Sequence, residues 1–309
     1  NQWPAYYREA RGCTIVDMDG KSYTDMSFNG IGSCMLGYAD PDVSAAVVRR
    51  IQLGSMCTLN VPEEVEVAKL LLQLHPWAQN VRFTRAGGES LAVAVRIARA
   101  STRRQDIAIC GYHGWHDWYV ATNMGSGTDQ LNAHLLKGLD PAGVPTNLTG
   151  TTVPFHYNEL QELERLFELR SQTLAAVVME PTRGNHPKPG FLKGVLDLCR
   201  KYGAKLIFDE VSIGWKLAVG GAHMKYGVNP DIAVFAKSTA NGHPMGAIIG
   251  NEETMQAAQD SFISSSFWTE GVGPAAALAT IQKMMRIDVV GHVDGIGQSI
   301  KNTWLSLGI

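Results

Sequence analysis

Residues 205–237 read KLIFDEVSIGWKLAVGGAHMKYGVNPDIAVFAK. Two unbroken apolar runs stand in this stretch, 206–208 (LIF) and 232–236 (IAVFA), and each closes on an ionisable residue, Asp209 and Lys237. Short runs without polar alternation read as strands buried on both faces, the condition of a parallel sheet covered by helices. The same pattern lies upstream, where LAAVVM (174–179) closes on Glu180 and leads through a Pro/Gly loop to the amphipathic run GFLKGVLDLCRKYG (190–203). Further strand-like runs are 81–83, IAIC (107–110) and TTVPF (151–155). Helical runs are SLAVAVRIARA (90–100), a stretch around 115–137, and 158–170, with a loop-like tract at 138–151. Strands alternating with helices predict an α/β fold, a mostly parallel central sheet flanked by helices.

The N-terminal part is different. CTIVDMDGKSYTDMS (13–27) places a DMDG turn between two short strands. Asp40-Pro41 opens a helix with Val43, Val47, Val48 and Ile51 on one face, and Pro62 opens a second with Val65, Ala68, Leu71 and Leu72 at helical spacing. The expected organisation is an N-terminal segment (1–55), a large domain (56–285) and a C-terminal segment (286–309), the outer two building a smaller domain. The chain begins without Met, and GQSIKNTWLSLGI (297–309) reads as a helix in progress, so a piece of a longer chain is expected.

At 309 residues and 45% hydrophobic, the chain is long enough for a large core and too apolar for disorder. With 27 basic and 29 acidic side chains it lacks the basic excess of a nucleic-acid binder. No apolar run approaches the roughly 20 residues of a membrane helix, and the N-terminus does not have the layout of a signal peptide. The five cysteines form no CxxC pair. They predict reduced thiols in a cytoplasmic protein rather than a disulfide framework or zinc site.

In an open α/β sheet, ligands bind at the carboxyl ends of the strands. Glu180, Asp209 and Lys237 all stand at such ends. A charge closing a strand is ordinarily just the first solvated residue, but three along one edge suit a cofactor needing a covalent amine and a carboxylate partner. A phosphate cradle is available at Ala86-Gly87-Gly88-Glu89-Ser90, between a strand and a helix, where N–H groups and the helix dipole favour an anion. Gly30-Ile31-Gly32 lacks the third glycine of a dinucleotide fingerprint, which disfavours a nicotinamide dehydrogenase.

The segments RAGGESLAVAVRIARA (85–100), GYHGWHDWY (111–119), VVMEPTRG (177–184), KLIFDEV (205–211) and PDIAVFAKSTANGHPMGAIIG (230–250) together resemble the ordered motifs of class III aminotransferases. These are fold-type I enzymes using pyridoxal 5′-phosphate, and the likeness is to the glutamate-1-semialdehyde-aminomutase-like branch, over about residues 12–286. The resemblance implies that Lys237 forms the Schiff base with the cofactor aldehyde and shuttles a proton, and that Asp209 holds the pyridine nitrogen. It implies that Val211 and Tyr112 cover the two ring faces, with His113 beside Tyr112, and that Gly87 and Gly88 bind the phosphate. Glu180 stands near the cofactor hydroxyl and substrate, its bland alternative being a capping or loop carboxylate. Position 86, usually a hydroxyl residue, is Ala. A metal at His113, His116 and Asp117 is disfavoured, since the set offers one carboxylate and no supporting run.

In the same resemblance, SSSFWTEGVGPAAALAT (264–280) matches the stretch whose threonine reaches the neighbouring subunit's phosphate, with Ser266 or Thr269 in that role. A homodimer with shared sites is therefore implied. The family's Asn-Pro signature is replaced by Phe267-Trp268-Thr269-Glu270, which favours an aminotransferase acting between two molecules over the alternative, a 2,1-aminomutase. A catalytically inactive cofactor-binding protein is the remote third. Lys216 and Arg85 are each placed to meet a substrate carboxylate or to be simply solvated.

Overall fold

The computed structural model describes residues 4–125 and 139–308. Three short strands, β1 (Tyr7–Arg11), β2 (Thr14–Asp17) and β3 (Ser22–Thr24), form an antiparallel meander. The DMDG turn is folded by its own first side chain. Asp17 Oδ1 accepts from the N–H groups of Asp19 (3.0 Å) and Lys21 (2.9 Å), and Oδ2 from the Tyr23 hydroxyl at 2.8 Å. These donors, Tyr23 first, hold the Asp17 carboxyl below its ordinary range.

The central sheet has seven strands: β4 (Asn80–Thr84), β5 (Asp106–Cys110), β6 (Thr152–Pro154), β7 (Leu174–Met179), β8 (Lys205–Asp209), β9 (Ile232–Phe235) and β10 (Gly246–Gly250). Their order is β4-β10-β9-β8-β7-β5-β6, parallel from β9 to β6, with β10 antiparallel to both neighbours. The run GAIIG is too short for periodicity to reveal a strand, and β10 was not anticipated. The α/β expectation is otherwise met.

Burial on both faces follows strand alternation. On β8, Ile207 packs with Leu91, Val95 and Ile97 of a helix at Gly87–Thr102. Leu206 and Phe208 face the other way, onto helices at Leu160–Arg170 and Phe191–Tyr202 through Phe167, Phe191 and Val195. Two helices before the sheet, α1 (Pro41–Gln52) and α2 (Pro62–Leu74), precede those three, which are α3, α4 and α5 in chain order; α6 (Val272–Arg286) and α7 (Val289–Ser306) follow.

Two expected helix faces need correction. On α1, Val43 and Val47 are buried, but Val48 and Ile51 are exposed. The buried face continues instead through Arg50, whose Nη1 donates to Glu63 of α2 at 3.0 Å. On α2, Val65 is exposed and Val67, two residues on and on nearly the opposite face, is fully buried with Leu71. Apolar side chains exceed what one face can hold here, and 3.6-residue spacing decides which are covered. The helical stretch around 115–137 is described only to Gly125: one turn at Asp117–Val120 and a tighter one at Ala121–Met124. The rest lies outside the described residues.

Asp231, fully buried just before β9, ties the strand starts together. It accepts from the Leu206 N–H (2.8 Å), Arg200 Nη1 (2.8 Å) and Asn251 Nδ2 (2.9 Å). Asp231→Ala should cost about 3 kcal/mol, because it leaves a buried N–H and two further donors without their acceptor. The shift in chemical-denaturation midpoint measures it.

Candidate active site

The carboxyl ends of β8 and β9 and the N-terminus of α3 face one cavity of about 570 Å³. Asp209, the last residue of β8, is almost completely buried and lines it. Its Oδ2 accepts from His113 Nδ1 at 2.7 Å and its Oδ1 from the Val211 N–H at 2.9 Å. A buried carboxylate needs such donors, and two of them fix its plane. His113 is itself fully buried, and its Nε2 has no hydrogen-bond partner among the described residues.

Lys237 stands just past β9, where the chain leaves the strand for a tight turn, Lys237–Ala240. Its φ is +45°, a left-handed conformation costly for a side chain with a Cβ. The turn is held by the Thr239 hydroxyl, which donates to Ala236 O at 2.8 Å, and the Ser238 hydroxyl, which donates to Gly32 O at 2.8 Å. Lys237 Nζ donates to Ser212 Oγ at 2.8 Å. Burial pushes the ammonium below the ordinary lysine range, with Asp209 pulling the other way and Arg183 adding to the push.

Gly87 and Gly88 open α3, and their lack of a Cβ is required by packing. A Cβ on Gly87 would lie 2.8 Å from Val211 Cγ1, and one on Gly88 would lie 2.8 Å from His116 Cε1. Ala86, at the N-cap, contributes no side-chain hydrogen bond. The first-turn N–H groups of a helix have no intrahelical acceptor, so this end keeps its capacity for an anion. Val211 and Tyr112 line the same cavity, Tyr112 set edge-on to Tyr119 with centroids 5.7 Å apart.

Glu180 is buried but lines a smaller cavity, of about 190 Å³, rather than the main one. Its Oε2 accepts from Arg183 Nη1 at 2.9 Å. Burial first and the Asp209 charge second raise its pKa. It is therefore no solvated loop acid. Ser266 is exposed, and the Thr269 hydroxyl donates to Cys57 O at 2.7 Å; neither lines the cavity of its own chain.

The structure separates the two candidate cations. Arg85 is neither solvated nor free: Nη2 donates to Phe267 O (2.6 Å) and Glu270 O (3.0 Å), and Nη1 to Thr84 O (3.1 Å). The Lys216 side chain makes no hydrogen bond or ion pair among the described residues, and its pKa is lowered by burial and then by Lys237. Sequence reasoning did not single out Ser212 or His243, both of which line the cavity. Ser212 was visible as the neighbour of Val211, whereas His243 arrives through a turn that carries no periodic signal.

A sequence model of the family described as "Aminotransferase class-III" matches residues 1–308. The chain is 32% identical over 301 residues to the 3-aminobutyryl-CoA aminotransferase of Cloacimonas acidaminovorans (strain Evry), covering 94% of this chain and 68% of that protein. It is 38% identical over 258 residues to the glutamate-1-semialdehyde 2,1-aminomutase of Anaeromyxobacter dehalogenans (strain 2CP-C), covering 82% of this chain and 58% of that one. Among solved structures, the FumI protein of Sphingopyxis sp. MTA144, in a PLP internal aldimine form, superposes with a TM-score of 0.88. Its identity is 25%, over 99% of this chain and 71% of that chain. An omega-transaminase from Sphaerobacter thermophilus gives 0.82 at 30% identity, over 92% of this chain and 67% of its own. The chain thus spans between 58% and 71% of the lengths of these relatives. A match along nearly the whole sequence, with an acid, a lysine and an uncapped helix end around one cavity, establishes that the chain belongs to the class III aminotransferase family.

Proposed function

We propose that this chain is a pyridoxal 5′-phosphate-dependent aminotransferase, moving an amino group from an amine or amino-acid donor to a carbonyl acceptor by a ping-pong sequence. The observation that carries this reading is the meeting of Lys237, Asp209 and the α3 N-terminus on one cavity. The donor set fits the cofactor. A lysine with a lowered pKa suits its aldehyde, an anion its ring nitrogen, Val211 and Tyr112 its two faces, and the N–H groups at Gly87 and Gly88 its phosphate. When bound, pyridoxal phosphate supplies a reactive aldehyde and a ring that withdraws electrons from the substrate carbon bearing nitrogen.

The protein's own part is to place charge and move protons. Lys237, whose ammonium burial holds below the ordinary lysine range, removes and returns the proton at the substrate carbon, with Ser212 holding Nζ in direction. Asp209 presents a fixed negative charge, and His113 is a positioning residue that sets its plane. Glu180, paired with Arg183, lines the smaller cavity and acts on Lys237 through its charge. Ser266 or Thr269 would serve the phosphate of a second subunit in a cytoplasmic homodimer, and the segments 1–55 and 286–309 would build the smaller domain around the large one. Among the described residues no helix is long and apolar enough to cross a membrane.

The aminomutase reading has the likeness to proteins of that name in its favour. Against it stands the segment 267–270, which is tied at several points. Arg85 binds two of its carbonyls, Thr269 binds Cys57 O, Glu270 accepts from the N–H groups of Val272 and Gly273, and the Arg82 guanidinium lies 5.5 Å from the Trp268 ring. So many anchors support a fixed segment, whereas a mutase needs a gate that retains its intermediate.

Three outcomes are expected. Borohydride should fix the cofactor of the yellow holoenzyme to Lys237, and Lys237→Ala should lower the rate on the order of 10³-fold or more, since handle and base go together; peptide mapping and single-turnover kinetics check this. Asp209→Asn should keep part of the bound cofactor yet slow proton abstraction sharply, measured with an α-deuterated donor. Supplied alone, glutamate 1-semialdehyde should yield little 5-aminolevulinate, while a donor with a separate keto acceptor should turn over. The reverse result would favour the mutase.

A further inference from the structure

His116 stands over the first turn of α3 with a ring nitrogen that no protein group uses. A Cβ on Gly88 would lie 2.8 Å from His116 Cε1 and 2.9 Å from its Nδ1, so the ring fills the space that the missing side chain leaves. Gly114, at φ +97°, lets the loop come that close: a Cβ there would lie 3.3 Å from Gly88 Cα and 3.9 Å from Nδ1. The His116 carbonyl accepts from the N–H groups of Tyr119 (2.9 Å) and Val120 (3.1 Å), which anchors its backbone. Its ring stacks on Trp115, with centroids 4.8 Å apart and planes at 25°, the exposed Trp115 forming the outer layer of the pair.

His116 lines the main cavity, yet its Nδ1 is buried and has no hydrogen-bond partner among the described residues. A polar atom withdrawn from water and left unpaired is unfavourable until a ligand meets it. The polar side chains of the adjoining turn are already committed. The Arg85 guanidinium donates to the backbone at residues 84, 267 and 270, Glu89 Oε2 accepts from the Arg85 N–H at 2.7 Å, and the Ser90 hydroxyl donates to Ala86 O at 2.9 Å. Ala86, Gly87 and Gly88 have no polar side chain to offer. Nδ1 and the free N–H groups at the start of α3 thus stand side by side on one wall. Nδ1 donates whenever it carries the ring proton, and a group that accepts from all these donors is an anion with several oxygens.

We propose that His116 Nδ1 donates to the phosphate of the cofactor, beside the N–H groups of Gly87 and Gly88. This rests on the reading of the cavity as the pyridoxal phosphate site. The imidazole supplies the side-chain contact that Ala86, Gly87 and Gly88 cannot supply themselves. Its part is to hold the cofactor, and proton transfer stays with Lys237. A ring seated against a glycine and stacked on Trp115 has little freedom left to lose, so the donor is in place before the anion arrives.

The test titrates the apoenzyme with pyridoxal phosphate and with pyridoxal, which lacks the phosphate, and follows the absorbance of the bound ligand. Wild type should prefer the phosphorylated form. His116→Leu removes the donor. It should weaken pyridoxal phosphate by about tenfold or more, the value of one charged hydrogen bond, and leave pyridoxal within about twofold. His116→Asn, close to leucine in size but with an amide donor near the place of Nδ1, should keep most of the preference. No loss in the Leu variant, an equal loss for both ligands, or an Asn variant as weak as Leu overturns the proposal. A second measurement holds even where the Leu variant fails to fold. In wild type carrying 15N-histidine, the resonance that the Asn variant lacks should shift to that of a hydrogen-bonded Nδ1–H with pyridoxal phosphate and not with pyridoxal; the same shift with both overturns the proposal. Wild type that holds the two ligands alike would sink the reading of the cavity itself, and this proposal with it, whereas a preference that the Leu variant keeps sinks this proposal alone.

Discussion

A carboxylate withdrawn from water must be met by donors inside the protein, and those that meet Asp209 set the shape of the whole site. One is the N–H of Val211, two residues along, which makes the chain turn directly after β8. That turn lays the Val211 methyl groups against the first residue of α3, where only glycine fits. The other is His113, which commits the loop after β5 to lie over the same strand end. A strand end, a helix start and a loop are thereby fixed to one pair of oxygen atoms. The cavity is what remains between them.

The second layer beneath this arrangement is equally polar and equally dry. Glu210, next to Asp209, is fully buried and accepts from the N–H groups of Ala222 (2.9 Å) and His223 (2.8 Å) and from His223 Nδ1 (2.8 Å). Trp77 Nε1 donates to the other nitrogen of His223 at 3.2 Å, which makes that nitrogen an acceptor and fixes the tautomer. Two adjacent acids on one strand end thus point to opposite sides, one serving the cavity and one bracing the loop behind it. Such networks are favourable when every member is satisfied, as the Glu210 carboxylate and both ring nitrogens of His223 are.

Much of this was legible in the chain itself. The unbroken apolar runs around 174–179, 205–209 and 232–235 disclosed parallel strands because burial on both faces removes polar alternation. The ionisable residues closing them disclosed the edge where chemistry would gather. What stayed hidden depended on contacts distant in sequence. Nothing local marks β10 as a strand, since its identity comes from pairing with β4 and β9. The exposure of Val48, Ile51 and Val65 reflects which helix face a neighbour covers, and pattern alone offers too many apolar positions. Arg85 read as a free cation, but its acceptors lie at residues 267 and 270. Ser266 and Thr269 stand away from their own chain's cavity, and their part rests on family likeness alone.

The left-handed turn at 29–32 bears on how the site comes into being. A left-handed residue other than glycine or asparagine costs roughly 1–2 kcal/mol, and Ile31 adopts that hand between Gly30 and Gly32. Asn29, Gly30 and Gly32 tolerate the conformation but Ile31 does not favour it, and docking holds it there, through the Ser238 hydroxyl on Gly32 O and the Asn241 side chain on Leu36 and Gly37. The first of these bonds joins residues 206 positions apart. Closing so long a loop is entropically unfavourable until the intervening sheet is in place. A folding chain would therefore hold β8 and β9, with Lys237 at their open edge, before this wall existed. The wall beside Lys237 is thus completed late, by a segment that lies far ahead of it in the chain.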